Sequence, residues 1–311
     1  MTKAFIVGCG KIAGGFNHSD ESAVLTHALA YRRLGAKITG CVDRNEAQAG
    51  QFAARWQVPH HGTDLASVLR AAAPAVVSIS TPPEGRAEAM EIILRSPSVK
   101  AVLIEKPLAN IAAEARKLRD LAQQAKLPLL VNYFRAFDPF YQKLEVEFRA
   151  GTFGKFCSGT ARYYGPAEAT ASHWLERVFA LLGTQCQINR LGGTEVSPHF
   201  ELCHTGSSVQ FLPSPGSDFS PFELDLLFER CRLRIVDSER RVEFYQSRPD
   251  PLFAGFSTLA PQNLWAGLGP SHESILHAAQ AALTTAQNGG NGWQDLLDRA
   301  VAVTECLEQL K

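Results

Sequence analysis

A chain of 311 residues is about twice the usual size of one domain, so two domains are predicted. With 45% hydrophobic and 20% charged residues, the composition excludes extended disorder, a collagen-like fibre and a disulfide scaffold. The 31 basic and 31 acidic residues cancel, so no general field draws the chain to nucleic acid or to an anionic membrane, and neither partner is expected.

The chain enters a strand-like stretch at once (MTKAFIVGCG), with no signal-peptide layout and no apolar run of membrane-spanning length, which predicts a cytoplasmic protein. Its seven cysteines are odd in number, widely spaced and without a C-x-x-C pair. Reduced, mostly buried thiols are expected.

From Lys3 to about Tyr133 the short runs KAFIVG, KITGCVD, AVVSIST, AVLIEKP and PLLVNY alternate with longer helical segments. Alternation at this spacing predicts βαβ units and a parallel sheet. After AVLIEKP, Ile111, Ala115, Leu118, Ala122 and Ala125 recur at steps of four and three, the apolar stripe of a helix. Runs such as Val76–Ile79, apolar almost throughout, fit a sheet covered on both faces.

Beyond PLLVNY the texture changes. A helical stretch from Pro139 to Arg149 is followed by FCSGTARYY, TEVSPHFELCH, FELDLLF, RLRIV and RVEFYQ, close together and joined by short turns, which predicts a mostly antiparallel sheet. Glu239-Arg240-Arg241 reads as a hairpin turn, LPSPGSDFSP (212–221) as a surface loop, and two helices are expected at about 271–288 and 293–310. The fold class is α/β: a Rossmann-type doubly wound parallel sheet over 1–133, then an α/β domain with an open, mostly antiparallel sheet over 134–311.

The first run leads into Gly8-Cys9-Gly10-Lys11-Ile12-Ala13, a G-x-G-x-x-A string at the first strand-to-turn junction. Gly8 permits the tight turn, Gly10 lets the backbone approach a pyrophosphate, and the small Ala13 lets the next segment pack closely. The second run ends in Asp43, whose carboxylate suits the ribose diol of NAD, while Arg44 beside it suits the 2′-phosphate of NADP. Thirty residues separate Ala13 from Asp43, against a usual spacing of about 20, so GGFNHSDESA reads as an insertion that delays the first helix to about Val24. His18, Asp20 and Glu21 within it are candidates to line the cofactor cleft.

AVLIEKP ends in Glu105-Lys106-Pro107 and places a lysine at the carboxyl edge of the parallel sheet, where ligands bind in open α/β folds. Pro107 restricts Lys106 and favours a fixed, even cis, turn. A lysine at a strand end is otherwise most often merely solvated.

These segments resemble the glucose–fructose oxidoreductase / inositol dehydrogenase (Gfo/Idh/MocA) family. The resemblance is carried by GCGKIA at 8–13, Asp43, Thr81-Pro82 with Glu88, and Glu105-Lys106-Pro107, and extends through Arg135 and Pro139. It implies hydride exchange between NAD, or NADP, and a secondary carbinol of a sugar, sugar nucleotide or cyclitol. It implies cofactor contacts at Gly8, Gly10, Lys11, Ile12, Ala13, Asp43, Arg44, Thr81, Pro82, Glu105 and Lys106, and places Lys106 at the reacting oxygen.

The family's second signature, D-x-G-x-H-x-x-D with a glycine seven residues on, corresponds to Ala169-Thr-Ala171-Ser-His173-Trp-Leu-Glu176 and Gly183. His173 keeps register, and its ordinary pKa suits it to manage the hydroxyl proton; a histidine packed beside Trp174 is the alternative. The family's aspartate and glycine are here Ala169 and Ala171, and the histidine after T-P-x-x-x is Arg86. Glu168, Tyr163 or Tyr164 are the candidates to replace the aspartate. Arg135 and Tyr164 join Lys106 and His173 as candidate substrate contacts.

His199, Glu201 and Cys203 alternate along one strand and would share a face, but an exposed sheet face explains the pattern without a metal, and none is expected. Two rivals remain: a regulatory dinucleotide-binding protein with a degenerate site, motivated by Ala169 and Arg86, and a homo-oligomer formed through the second sheet, with apolar strands such as Phe222 to Phe228 facing a partner.

Overall fold

The computed structural model describes residues 1–17, 23–214, 218–262, 270 and 274–311. His18, Asp20 and Glu21 lie outside the described residues. The chain forms two compact units. One comprises Met1–Asp138 and His272–Thr304, the other Pro139–Ser271 and Glu305–Lys311. The first unit thus extends five residues past the expected boundary at 133 and takes back most of the C-terminal helical region, because an apolar helix face docks wherever it is covered, irrespective of its place in the chain.

The first unit is built on six parallel strands, β1 (Lys3–Val7), β2 (Lys37–Val42), β3 (His60–Gly62), β4 (Val76–Ile79), β5 (Ala101–Ile104) and β6 (Leu129–Val131), in the order β3-β2-β1-β4-β5-β6. Every residue of β4 and β5 is buried, as expected for central strands covered on both faces. β3 is a short edge strand of two exposed histidines and a half-buried glycine.

Helices α1 (His27–Arg33), α2 (Glu46–Trp56), α3 (Leu65–Ala72), α4 (Arg86–Ile93) and α5 (Ala112–Gln124) connect the strands. Thr26, Asn45 and Asp64 cap α1, α2 and α3 by accepting a backbone N–H in the first turn. The insertion delays the first helix to His27, three residues past the expected start. In α5, Ala115, Leu118 and Ala122 are buried as the stripe predicts, whereas Ile111 and Ala125 are exposed because they occupy the two caps, where the chain leaves the helical path. From the far end of the chain, α8 (Ser274–Asn288) packs against α1, β5 and the short turn Phe134–Phe137.

The second unit contains α6 (Pro139–Arg149), α7 (Ala171–Leu182) and eight strands: β7 (Phe156–Tyr164), β8 (Gln187–Gly193), β9 (Pro198–His204), β10 (Ser207–Ser214), β11 (Glu223–Phe228), β12 (Cys231–Val236), β13 (Arg241–Pro249) and β14 (Ser257–Gln262). They form one sheet in the order β14-β13-β12-β11-β7-β10-β9-β8, antiparallel except where β10 runs parallel to β7. Its inner face buries Phe200 stacked on Phe211 and Phe222 stacked on Trp174. The outer face carries a charge ladder in which Arg232 and Arg234 bridge Asp225, and Arg234 bridges Glu243.

Of the apolar residues in the Phe222–Phe228 run, Phe222, Leu224, Leu226 and Phe228 are buried on the inner face, and the outward positions are Glu223, Asp225 and Leu227. Asp237, Ser238 and Glu239 make the β12–β13 turn with positive φ, and Arg241 begins β13. α9 (Trp293–Gln309) closes the chain. Among the described residues no helix is long and apolar enough to cross a membrane.

Candidate active site

β1, β2, β4 and β5 run parallel with Val7 level with Val42 and Ile79, and Ile79 level with Ile104, so the segments that follow them emerge at one edge of the sheet. This is the carboxyl edge at which doubly wound folds bind ligands. Immediately beyond those strand ends stand Gly8, Asp43, Ser80 and Glu105.

Gly8 has φ +88° and lies so close to the turn after β4 that a Cβ would sit 2.8 Å from Thr81 Cγ2 and 3.0 Å from Thr81 N. Ser80 Oγ donates to the carbonyls of Val7 and Gly8 (3.1 and 2.8 Å), binding the two turns together. Asp43 braces the glycine turn from the other side: Oδ2 accepts from Cys9 N (2.8 Å) and Oδ1 from Asn45 N (2.9 Å). At Gly10 the space is open, and a Cβ would meet only the Gln48 amide, 3.9 Å away. The chain then winds through Lys11–Gly15 in an i→i+5 turn, with Ala13 and Gly14 buried and Ile12 half-buried.

Between this turn and α2 lies a cavity of about 350 Å³ whose lining includes Gly10, Lys11, Asn45, Gln48, Arg55 and Trp56. The Trp56 indole N–H is buried there without a hydrogen-bond partner in the protein. Arg44 is exposed beside it, Thr81 is half-buried and Pro82 exposed.

These residues fit a dinucleotide. The open approach at Gly10 admits a diphosphate to the backbone, cationic Lys11 and Arg55 line the cavity next to it, and each Asp43 oxygen keeps a lone pair for a ribose hydroxyl after serving its backbone donor. Sequence reasoning did not single out Gln48, Arg55 and Trp56. They lie on one helix after the acidic residue, where position is the only signal.

At the end of β5 the peptide bond between Lys106 and Pro107 is cis. Two buried groups fix this turn from behind. The Glu105 carboxylate turns inward, where Oε1 accepts from His27 Nε2 (2.9 Å) and from the Asn132 amide. Arg86, 2% exposed, donates to the carbonyls of Thr81, Glu105, Pro107 and Leu108, so one guanidinium ties the turn after β4 to the turn after β5. The arginine found where the family's histidine was expected therefore does a backbone-clamping task suited to five fixed donors.

The electrostatics follow from burial. Burial pushes the Lys106 ammonium down to about 8, opposed by the Glu105 carboxylate and reinforced by Arg135. Burial alone would raise Glu105, but His27, Asn132 and Lys106 outweigh it and hold the carboxyl below its ordinary range. Arg86 is pushed down to about 10 by burial, against the pull of Glu105, Glu84 and Tyr133. Arg135 is buried, with its guanidinium 4.5 Å above the ring of Phe134.

In the second unit, His173 lies in the first turn of α7 and is 7% exposed. Ala169 precedes the helix, which begins after Thr170, so an acidic residue there would approach His173 from a turn and not along a helix face. The substitutes considered for it are engaged: Glu168 pairs with Lys311 (2.8 Å), and the Tyr163 hydroxyl donates to the carbonyl of Pro198. Tyr164 is exposed, with its ring edge-on to Phe222. Glu176 is buried in a cluster with Arg177, which also pairs with Glu145 (2.6 Å).

His199, Glu201 and Cys203 do alternate with buried Pro198, Phe200 and Leu202. Among the described residues no group of three His, Cys, Asp or Glu is placed to hold a metal ion.

Residues 2–133 match the oxidoreductase family with NAD-binding Rossmann fold, Gfo/Idh/MocA. The match takes in the whole six-stranded sheet with its glycine turn, Asp43 and Glu105-Lys106-Pro107, and the family it names binds NAD. A curated relative, 4-carboxy-2-hydroxymuconate-6-semialdehyde dehydrogenase of a Sphingobium species, is 31% identical over 117 residues. The match covers 38% of this chain and spans 36% of that relative's length.

Solved structures similar over nearly the whole chain establish the fold of both halves. The UDP-N-acetylglucosamine 3-dehydrogenase GnnA of Acidithiobacillus ferrooxidans aligns with a TM-score of 0.76 at 17% identity, covering 99% of this chain and 96% of that one. KijD10, a 3-ketoreductase from Actinomadura kijaniata in complex with TDP-benzene and NADP, aligns with a TM-score of 0.71 at 15% identity, covering 99% and 96%.

Proposed function

We propose that this protein is an NAD(P)-dependent oxidoreductase that interconverts a secondary hydroxyl and a keto group on a sugar, sugar nucleotide or cyclitol. The observation that carries the reading is Lys106: a half-buried ammonium with its pKa pushed down to about 8, standing at the same sheet edge as the glycine turn and Asp43. The names of the similar structures, a sugar-nucleotide 3-dehydrogenase and a 3-ketoreductase, support the substrate class.

When bound, the nicotinamide supplies a hydride acceptor or donor. The chain's own residues do the rest. Lys106 offsets the negative charge that develops on the substrate oxygen, an interaction strengthened by the partial burial of its side chain. His173 carries the hydroxyl proton as general base or acid. Arg135 and Tyr164 contact the remaining hydroxyls.

Calorimetric titration with NAD(H) and NADP(H), followed by a panel of sugars, sugar nucleotides and cyclitols read at the NADH absorbance, tests this. Binding together with turnover on one class supports it. Absence of dinucleotide binding at millimolar concentration removes it, and binding without turnover on any member favours the regulatory reading that Ala169 motivates.

NAD is the preferred cofactor, because a carboxylate at the end of β2 repels a 2′-phosphate. Asp43→Asn keeps one oxygen as the acceptor for Cys9 N, gives up the one that serves the exposed Asn45 N, and removes the charge. It is expected to weaken NAD by roughly tenfold and to narrow or reverse the preference over NADP, measured as the ratio of the two dissociation constants. An unchanged ratio would take Asp43 out of cofactor selection.

A further inference from the structure

Beneath the Glu105-Lys106-Pro107 turn runs a chain of polar groups that the reading above does not use. Tyr31 and His27, both on α1 and both fully buried, lie against Ser78 on β4: Tyr31 Oη is 2.6 Å from Ser78 Oγ, and Ser78 Oγ is 3.2 Å from His27 Nδ1. The other imidazole nitrogen, Nε2, reaches Glu105 Oε1 at 2.9 Å. Three elements, α1, β4 and β5, thus converge on one imidazole placed directly behind the lysine-bearing turn.

Polar side chains taken wholly out of water cost stability unless paired, and an apolar residue at position 27 would fill the same space without the need for partners. What the imidazole adds is direction. Glu105 is held as a carboxylate, so Nε2 must carry the proton and Nδ1 faces the Ser78 hydroxyl, whose own orientation Tyr31 completes.

We infer that His27 is a positioning residue that works through Glu105: by donating to the inward-turned carboxylate it keeps a fixed negative charge behind Lys106 and so keeps Lys106 in its ammonium form. This rests on the reading of Lys106 as the group at the reacting oxygen.

Lys106 is opposed by Glu105 on its own turn and by Arg135 on the turn after β6. Glu105 is faced by His27 from α1, Asn132 from the end of β6 and Lys106 beside it. Arg86, from α4, adds positive charge on the backbone side of the same turn, with Glu84 and Tyr133 facing it. Among these groups it is Glu105 that supplies negative charge to Lys106, so the anchor that keeps Glu105 ionised supports the lysine's charge.

The two imidazole nitrogens can be tested separately, because asparagine reproduces the position of Nδ1 and glutamine that of Nε2. The readout is the pH midpoint of Lys106 acylation by limiting acetic anhydride, quantified on the Lys106 peptide by mass spectrometry, in the full-length protein without substrate. His27→Gln retains the donor to Glu105 and is expected to leave the midpoint where the wild-type protein has it.

His27→Asn keeps the Ser78 side and loses the Glu105 side, and is expected to lower the midpoint by about one unit. Glu105→Gln gives the size of the full effect. Equal midpoints in the Asn and Gln variants would overturn the proposal. So would an unmoved midpoint in Glu105→Gln, whether or not the His27 variants fold. A shift in His27→Asn without turnover on any carbohydrate would uphold the positioning role and remove the oxidoreductase reading.

Discussion

Lys106→Met is expected to lower kcat/KM by about 10²- to 10³-fold, while dinucleotide affinity stays within about threefold of wild type. Methionine has nearly the same length and packs as an apolar chain, so the loss isolates the charge. The effect is large because Lys106 is half-buried: an ammonium partly withdrawn from water interacts with a developing alkoxide at a lower effective dielectric than bulk water offers.

The same burial gives the rate a pH signature. Lys106 is pushed down to about 8, so it is charged below that pH and neutral above it. Since the charged form stabilises the oxygen, kcat/KM is expected to fall as pH rises through about 8. Lys106→Arg provides the control, because a guanidinium remains charged throughout this range. It is expected to be slow, its planar fork fitting the site poorly, yet to lack the alkaline fall. Steady-state rates across pH and calorimetric titration of the dinucleotide check both parts. A methionine variant with wild-type turnover, or an arginine variant with an unchanged alkaline limb, would dismiss Lys106 from the reaction.

The legible parts of this molecule were those in which the signal is local. β4 and β5 are continuous apolar runs bounded by turns, and burial on both faces is what such runs require. The glycine string, Asp43 and Glu105-Lys106-Pro107 were found because each sits where a strand ends, and the register of the parallel strands brings those ends together. β3 carries no such mark: His60-His61-Gly62 is an exposed polar edge that is a strand only because β2 offers it hydrogen bonds.

The misses elsewhere share this origin. α8 returns to the first unit because of what its apolar face covers, a fact about the partner surface that its own residues do not encode. His27 opens an otherwise ordinary helix, and only the fold shows that the residue opposite it is Glu105, 78 positions away. Arg86 shows the same limit from the other side. Its substitution for the expected histidine was visible, but four backbone carbonyls converging on one guanidinium are a property of two turns meeting.

Gly8 and Gly10 belong to one motif, yet they are expected to fail in different ways when given a methyl group. At Gly8, φ is +88° and a Cβ would press on Thr81 N and Ser80 C at 3.0 and 3.1 Å, backbone atoms anchored at the end of β4. Neither the conformation nor the contact can relax without parting the two turns that Ser80 holds together. Gly8→Ala is therefore expected to destabilise the first unit by about 2–4 kcal/mol, lowering its melting temperature by roughly 5–15 °C.

Gly10 has φ −79°, which any residue adopts, and a Cβ would meet only the flexible Gln48 side chain at 3.9 Å. Gly10→Ala is expected to change stability by less than about 0.5 kcal/mol and to weaken dinucleotide binding by at least about tenfold, because the methyl group occupies the path by which a diphosphate reaches the backbone. Calorimetric melting and dinucleotide titration of the two variants separate these effects. The decisive comparison is Gly10→Ala: a protein that melts like wild type and also binds NAD like wild type would mean that the diphosphate does not approach the chain at this turn, and the cofactor site assigned between Gly8 and Asp43 would have to be abandoned.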